Sequence, residues 1–265
     1  MGAVLYRRVP NHLLATCPNA VLLPPTGTVS LSIVLPAHNE EELLADTVGE
    51  IVAGMRARAE EFEVVVVENG SRDRTAAIAR SLAADEPSVR MLQLADADYG
   101  AALRAGLLAA TGDVVVNFDV DYYDLGFLDR AVARTRSDGG PAVVVGSKRA
   151  PGADDQRAWA RRVVTWGFAT LLRGLFRLRV SDTHGMKAMR RAAVSPLVAA
   201  CRFDRDLFDT ELVIRAERGA LGVDEIPVTV TERRPSRTSI VRRVPRTLMG
   251  LVALRIAMRR ELRTR

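Results

Sequence analysis

At 265 residues, 48% hydrophobic and 26% charged, the chain can bury the core of one large α/β domain or two small ones, which excludes a disordered or fibrous polypeptide. Its net charge is +6, yet residues 231–265 carry eleven arginines against Glu232 and Glu261, so the remainder is net acidic and the base sits in a tail suited to an anionic partner. Cys17 and Cys201 form no C-x-x-C pair, which excludes a disulfide framework or zinc site, and no apolar run approaches the roughly 20 residues that cross a bilayer.

Residues 1–28 carry scattered Pro, Asn and Gly and read as an N-terminal extension. No apolar stretch of signal-peptide type follows Arg7 and Arg8, so the expected location is cytoplasmic. Residues 29–35 form a short apolar strand that Pro36 is expected to stop. Residues 40–58 place Leu43, Leu44, Val48, Ile51, Val52 and Met55 at helical spacing, with Asn39 as N-cap. A strand over 62–67 leads into the turn Glu68-Asn69-Gly70-Ser71 and a helix over 75–84, capped by Asp73 or Ser71. A weaker strand (89–94), an Ala-rich helix (100–110) closed by Gly112, a strand running into residue 121, a helix (127–136) and a strand (142–146) follow. This alternation predicts an α/β fold, with a mostly parallel sheet flanked by helices and right-handed crossovers. Beyond Arg149 the pattern changes. A polar loop (150–155), an amphipathic helix (159–176), a loop and strand (180–189) and a helix (208–218) precede a strand (223–231) that Pro227 marks as an edge. A basic amphipathic helix (246–260) closes the chain.

The most informative stretch is Val114-Val115-Val116-Asn117-Phe118-Asp119-Val120-Asp121. Its β-branched run reads as a strand covered on both faces, and ligands in open α/β sheets collect at the carboxyl ends of such strands. If the backbone stays extended, Asp119 and Asp121 share a face. Two hard carboxylate ligands there suit Mg²⁺ or Mn²⁺ completed by water and substrate phosphates; the plain alternative is a solvated acidic turn. After the first strand, His38, Asn39 and Glu40 can hold a nucleoside or simply cap a helix. After the second, Asn69 can hydrogen-bond a base edge or belong to a capped turn.

Taken in order, SIVLPAHNEEE, EVVVVENGSRDRT, YGAALRAGLLAATGDVVVNFDVD and VVVGSKR resemble glycosyltransferase family 2 and its GT-A fold. SDTHGMKAMRR and FDTELVIRAERGALGVDEIPVTVTERRPSRTS resemble the branch that makes polyprenyl-phosphate (dolichyl-phosphate) mannose or glucose. The resemblance makes residues 29–239 the catalytic domain and 240–265 a C-terminal helical tail. It implies a UDP- or GDP-hexose donor contacted by Pro36, Ala37, His38, Glu40, Asn69, Gly100, Arg104, Asp119 and Val120. It makes Asp119 and Asp121 the metal-binding D-x-D. Tyr123 stands where that branch can place a third metal ligand, with Asp124 beside it. Arg149 matches a basic residue near the phosphates, often found one position earlier, where Lys148 stands. Asp121, Arg149, Asp182 and His184 are the residues it points to for catalysis, and inversion at the anomeric carbon is the outcome it implies.

A polyprenyl phosphate is already largely dianionic at neutral pH and needs cations rather than a base. Arg149, Arg161, Arg233, Arg234 and Arg237 are candidates to grip it. A soluble alcohol acceptor would need Asp182 or His184 as base, although His184 can equally be structural. The basic tail helix can lie on the cytoplasmic face of a membrane or pack on the core. G-x-G-x-x-G and the P-loop signature are absent, which argues against dinucleotide enzymes and NTPases. PAHNEEE lacks the Gly-rich basic loop of nucleotidyl transferases. No aromatic residue follows Thr231, so nucleic acid is not an expected partner.

Overall fold

The computed structural model describes residues 29–155, 159–230 and 240–263. Strands β1 (Leu31–Ala37), β2 (Phe62–Asn69), β3 (Val89–Leu94) and β4 (Val114–Asn117) alternate with helices α1 (Leu44–Arg56), α2 (Thr75–Asp85) and α3 (Tyr99–Ala109). Helix α4 (Leu125–Arg136), β5 (Val143–Ser147), the short β6 (Asp154–Asp155) and α5 (Trp159–Phe176) follow. Next come β7 (Lys187–Arg190), α6 (Arg191–Ala200), a 3₁₀ turn (Arg205–Leu207) and α7 (Phe208–Arg218). Strands β8 (Val223–Pro227) and β9 (Thr229–Val230) and helix α8 (Ile240–Arg263) complete the described chain.

Seven strands make one sheet in the order β3-β2-β1-β4-β7-β5-β8, while β6 pairs with β9. The main-sheet pairings are parallel except the two made by β7. The order reverses between β1 and β4. That is the switch point where the loops after two neighbouring strands diverge and leave a crevice.

The valine runs at the centres of the strands are apolar because helices cover both faces. Val34, Val65, Val67, Val115, Val143 and Val145 face one core with α3, α5, α6, α7 and α8. Ile33, Leu35, Val64, Val66, Val116 and Val144 face the other with α1, α2 and α4. Each fully buried Val or Leu side chain is worth roughly 1.5–3 kcal/mol.

Several boundaries differ from the sequence reading. Pro36 does not stop β1, which continues to Ala37 with Pro36 opposite Val67. The β1–β4 pairing has already ended at Val34↔Asn117, so at Pro36 the strand has a single neighbour and a missing N–H is tolerated. Asn39 is not the N-cap of α1. It has φ 54°, in the left-handed region that Asn tolerates, and a turn separates it from the helix at Leu44. The strand expected over 223–231 is broken into β8 and β9, with β8 at the sheet edge. Helix α6 had no periodic signature in the sequence. Pro196 lies inside it, and it buries only Val194 and Val198. Residues 1–28 and 231–239, with Arg233, Arg234 and Arg237, lie outside the described residues.

Candidate active site

The D-x-D is not an extended strand. β4 ends at Asn117, and the Asp119 amide donates to the Tyr122 carbonyl (3.1 Å) while the Tyr122 amide donates back to Asp119 (3.1 Å). Val120 and Asp121 are therefore the two central residues of a tight turn, which corrects the shared-face argument. Three side chains pin this turn. The Tyr99 hydroxyl donates to Asp119 Oδ1 (2.9 Å), Thr47 Oγ1 donates to the Val120 carbonyl (2.9 Å), and the Tyr122 hydroxyl donates to the Thr229 carbonyl (3.2 Å). Val120 itself is buried.

Burial raises the Asp119 carboxyl above its ordinary range, and the charges of Asp121 and Asp209 add to the rise. The Tyr99 hydrogen bond and Lys148 act against it. Two carboxylates that repel each other in a half-buried turn are a donor set that a cation relieves. Among the described residues no group of three His, Cys, Asp or Glu side chains forms a closed protein cage. The carboxylate pair itself suits Mg²⁺ or Mn²⁺, which is usually held by one or two carboxylates with phosphate oxygens and water. Tyr123 hydrogen-bonds Glu50, and Asp124 lies 3.8 Å from Arg130 at the start of α4.

The ends of β1 and β2 are laced together. His38 Nδ1 donates to the Asn69 carbonyl (2.7 Å), and Asn39 Nδ2 donates to His38 Nε2 (3.0 Å). The Asn39 amide donates to Ser71 Oγ (3.0 Å), and the Glu40 amide to Thr75 Oγ1 (2.7 Å). Asp73 Oδ1 accepts from the Thr75 amide (2.9 Å), but the N-cap of α2 is Arg74, with no side-chain cap, rather than Asp73 or Ser71. Asn69 is buried, and its Oδ1 accepts from the Asp98 amide (2.7 Å). Gly100 packs on the Arg205 backbone. Arg104 pairs with Asp204 (2.9 Å) and lies over the Phe208 ring (5.6 Å). Pro36 and Ala37 are buried at the end of β1.

Reversed β7 brings the opposite wall. Its first residue, Lys187, pairs with Asn117, so the loop before β7 reaches the carboxyl ends of the parallel strands. Asp182 Oδ1 accepts from the His184 amide (3.0 Å), while the buried Asp182 Oδ2 has no hydrogen-bond partner among the described residues. The Thr183 hydroxyl lies 3.1 Å from His184 Nδ1 and 3.1 Å from the Thr210 hydroxyl. Phe168 of α5 meets the His184 ring edge-on at 5.6 Å. Beneath them Lys187 and Asp209 form a buried ion pair at 2.6 Å. Lys148 lies over the Tyr122 ring (5.8 Å), and its charge is felt at Asp119. Arg149 donates to the Trp166 carbonyl (3.3 Å). Arg161 lies on α5, with its side chain outside the described set.

The fold thus gathers His38, Asn69, Asp119, Asp121, Lys148, Asp182 and His184 at one end of the sheet. Sequence reasoning missed Tyr99, Thr47, Lys187 and Asp209. One signal was available: only two lysines occur in a chain whose base is otherwise arginine, and both lie here.

Residues 32–197 match Glycosyl transferase family 2. The chain belongs to that family. It is a nucleotide-sugar-dependent glycosyltransferase, as the ordered motifs implied. It is 33% identical over 219 residues to Glycosyltransferase AglD of Haloferax volcanii, covering 81% of this chain and 35% of that protein. It thus spans about a third of AglD. It is 28% identical over 249 residues to Dolichyl-phosphate beta-glucosyltransferase ALG5A of Trichomonas vaginalis, covering 87% of this chain and 76% of that protein. Its fold matches glucosyl-3-phosphoglycerate synthase from Mycobacterium tuberculosis, solved with Mn²⁺, UDP and glucosyl-3-phosphoglycerate. The TM-score is 0.63 at 18% identity, over 95% of this chain and 86% of that one. Among the described residues no helix is long and apolar enough to cross a membrane.

Proposed function

We propose that this transferase moves a hexose from a UDP- or GDP-sugar to a polyprenyl phosphate, with inversion at the anomeric carbon. The observation that carries this reading is the meeting, at the β1/β4 switch point, of the Asp119–Asp121 turn with Lys148 and the loop before β7. Asp119 and Asp121 would hold Mg²⁺ or Mn²⁺, which when bound supplies charge neutralisation at the leaving diphosphate. The laced ends of β1 and β2, with His38 and Glu40, are the natural seat for the nucleoside. Asn69 holds that seat in shape through Asp98. Lys148 and Arg149 offer positive charge where negative charge grows on the leaving group.

The acceptor side has two supports. The dolichyl-phosphate specificity in the name of the Trichomonas relative is one. The other is α8, which buries Leu251, Leu254 and Met258 in the core yet exposes Leu248, Met249, Val252 and Ile256 on another face. An apolar stripe on an arginine-rich helix suits the interface of an anionic membrane, where a lipid acceptor would be found. A phosphate acceptor needs no proton removed. Arg149, Arg161, Arg233, Arg234 and Arg237 are the candidates to position it. A soluble hydroxyl acceptor is the second reading, favoured by Asp182 Oδ2. A buried carboxylate oxygen with no hydrogen-bond partner among the described residues is a ready base.

Isothermal titration with UDP- and GDP-hexoses, with and without Mn²⁺, followed by transfer to a short polyprenyl phosphate, tests the reading. We expect metal-dependent donor binding and a lipid-linked product. Asp121→Ala should abolish transfer with the fold intact. Transfer only to a soluble alcohol, lost in Asp182→Asn, would establish the second reading instead.

A further inference from the structure

Tyr99 is the first residue of α3, far in sequence from the D-x-D, yet its hydroxyl donates to Asp119 Oδ1 at 2.9 Å. Its position is fixed from three directions. Asp98 caps α3 by accepting from the Ala101 amide (3.0 Å). The Asp98 amide donates to Asn69 Oδ1 at the end of β2 (2.7 Å). The Arg205 amide, from the turn before α7, donates to Asp98 Oδ1 (2.8 Å), and Gly100 lies flat against that same backbone. A phenol so held has little freedom to leave the carboxylate.

We propose that Tyr99 is a positioning residue for the divalent cation: its hydroxyl holds Asp119 in the orientation in which the turn can receive the metal. This rests on the reading of Asp119 and Asp121 as metal ligands. An ionised carboxylate only accepts hydrogen bonds, so one donor fixed on one oxygen selects the side chain's rotamer. Thr47 fixes the backbone of the same turn at Val120 but leaves the Asp119 side chain free to rotate. Tyr99 supplies the missing restraint. Partners that hydrogen-bond a ligating group from outside typically account for about 10- to 100-fold in metal affinity.

The test is Mn²⁺ binding to the full-length protein, read from the electron paramagnetic resonance signal of free Mn²⁺, with and without UDP. The wild type is compared with Tyr99→Phe, which keeps the ring, and Asp121→Asn. Circular dichroism melts and metal-free UDP titrations run alongside. The expected result is a Tyr99→Phe affinity about 10- to 100-fold weaker than wild type, with melting and metal-free UDP binding unchanged. Wild-type affinity in Tyr99→Phe, with binding lost in Asp121→Asn, overturns the role of Tyr99 and leaves the metal reading standing. A drop in Tyr99→Phe that merely follows a drop in melting temperature also overturns it, since the side chain would then only support the fold. No Mn²⁺ bound by the wild type, with or without UDP, removes the metal reading and this inference together.

Discussion

Lys187 Nζ and Asp209 Oδ1 lie 2.6 Å apart, and both side chains are buried. The ammonium also donates to the Gly185 carbonyl (2.9 Å), so the pair ties the first residue of β7 to the first turn of α7, directly behind the loop that carries Asp182 and His184. Removing one member of such a pair strands the other charge in a dry site. Lys187→Met should cost about 3–5 kcal/mol by urea unfolding. The double variant Lys187→Met/Asp209→Leu should recover much of that, because an apolar replacement of both charges is often neutral. Equal stability of the two variants would show that a stranded Asp209 charge is not what makes Lys187→Met costly.

Glu63, at the opposite end of the sheet, is one carboxyl whose environment ties stability to acid pH. Burial pushes its carboxyl up, but hydrogen bonds from Ser32 and Thr111 and the charge of Arg90 outweigh it, so its pKa is lowered. The lowered carboxyl binds protons more weakly folded than unfolded. Its stabilisation is therefore complete above the ordinary glutamate value and fades as pH falls through the lower folded one. Thermal melts of wild type and Glu63→Gln from pH 7 to pH 3 should show a steeper acid loss in the wild type. The variant should be about 3–5 kcal/mol less stable at pH 7, since Arg90 loses its partner. Parallel pH curves would remove Glu63 from the acid limb.

Gly100→Ala should fold less stably even though alanine is the better helix former. A Cβ there meets the backbone nitrogen and oxygen of Arg205, which cannot swing aside as a side chain would. Overpacking of this kind costs about 1–3 kcal/mol, measured as a shift in the urea midpoint. A neutral or stabilising outcome would mean that the segment before α7 yields freely.

The exposed stripe of α8 predicts membrane behaviour. Replacing Leu248, Val252 and Ile256 with serine should leave folding intact, since these side chains are 43%, 56% and 47% exposed. It should sharply reduce flotation with vesicles containing anionic lipid. High salt should weaken flotation of the wild type as well, because screening removes the attraction of the basic helix. Unchanged flotation of the triple variant would assign the stripe to something other than lipid.

Much of the architecture was legible because it rests on period and composition. The runs at Val64–Val67, Val114–Val116 and Val143–Val145 announce strands covered on both faces, and α5 and α7 begin and end where their apolar spacing does. The D-x-D and the polar loops after β1 and β2 stood out because carboxylates and amides at strand ends are conspicuous. What stayed hidden is set by tertiary contact. Nothing local tells Tyr99 to meet Asp119 twenty residues away, or Lys187 to find Asp209. Pro36 read as a stop because its local rule ignores whether a second strand is still alongside. The tight turn at Val120 was missed because alternation along a strand says nothing about where pairing ends.

β7 runs against its neighbours, and this divides the work of the chain. Everything up to Ser147 reaches the crevice by ascending parallel strands. The stretch after it leaves from the crevice end of β5 and returns to that same end, where β7 starts at Lys187. β7 is clamped between β4 and β5, so the loop that ends at Met186 is anchored to the strand that leads into the Asp119 turn. Such a layout holds Asp182 and His184 to the same frame as the Asp119 turn.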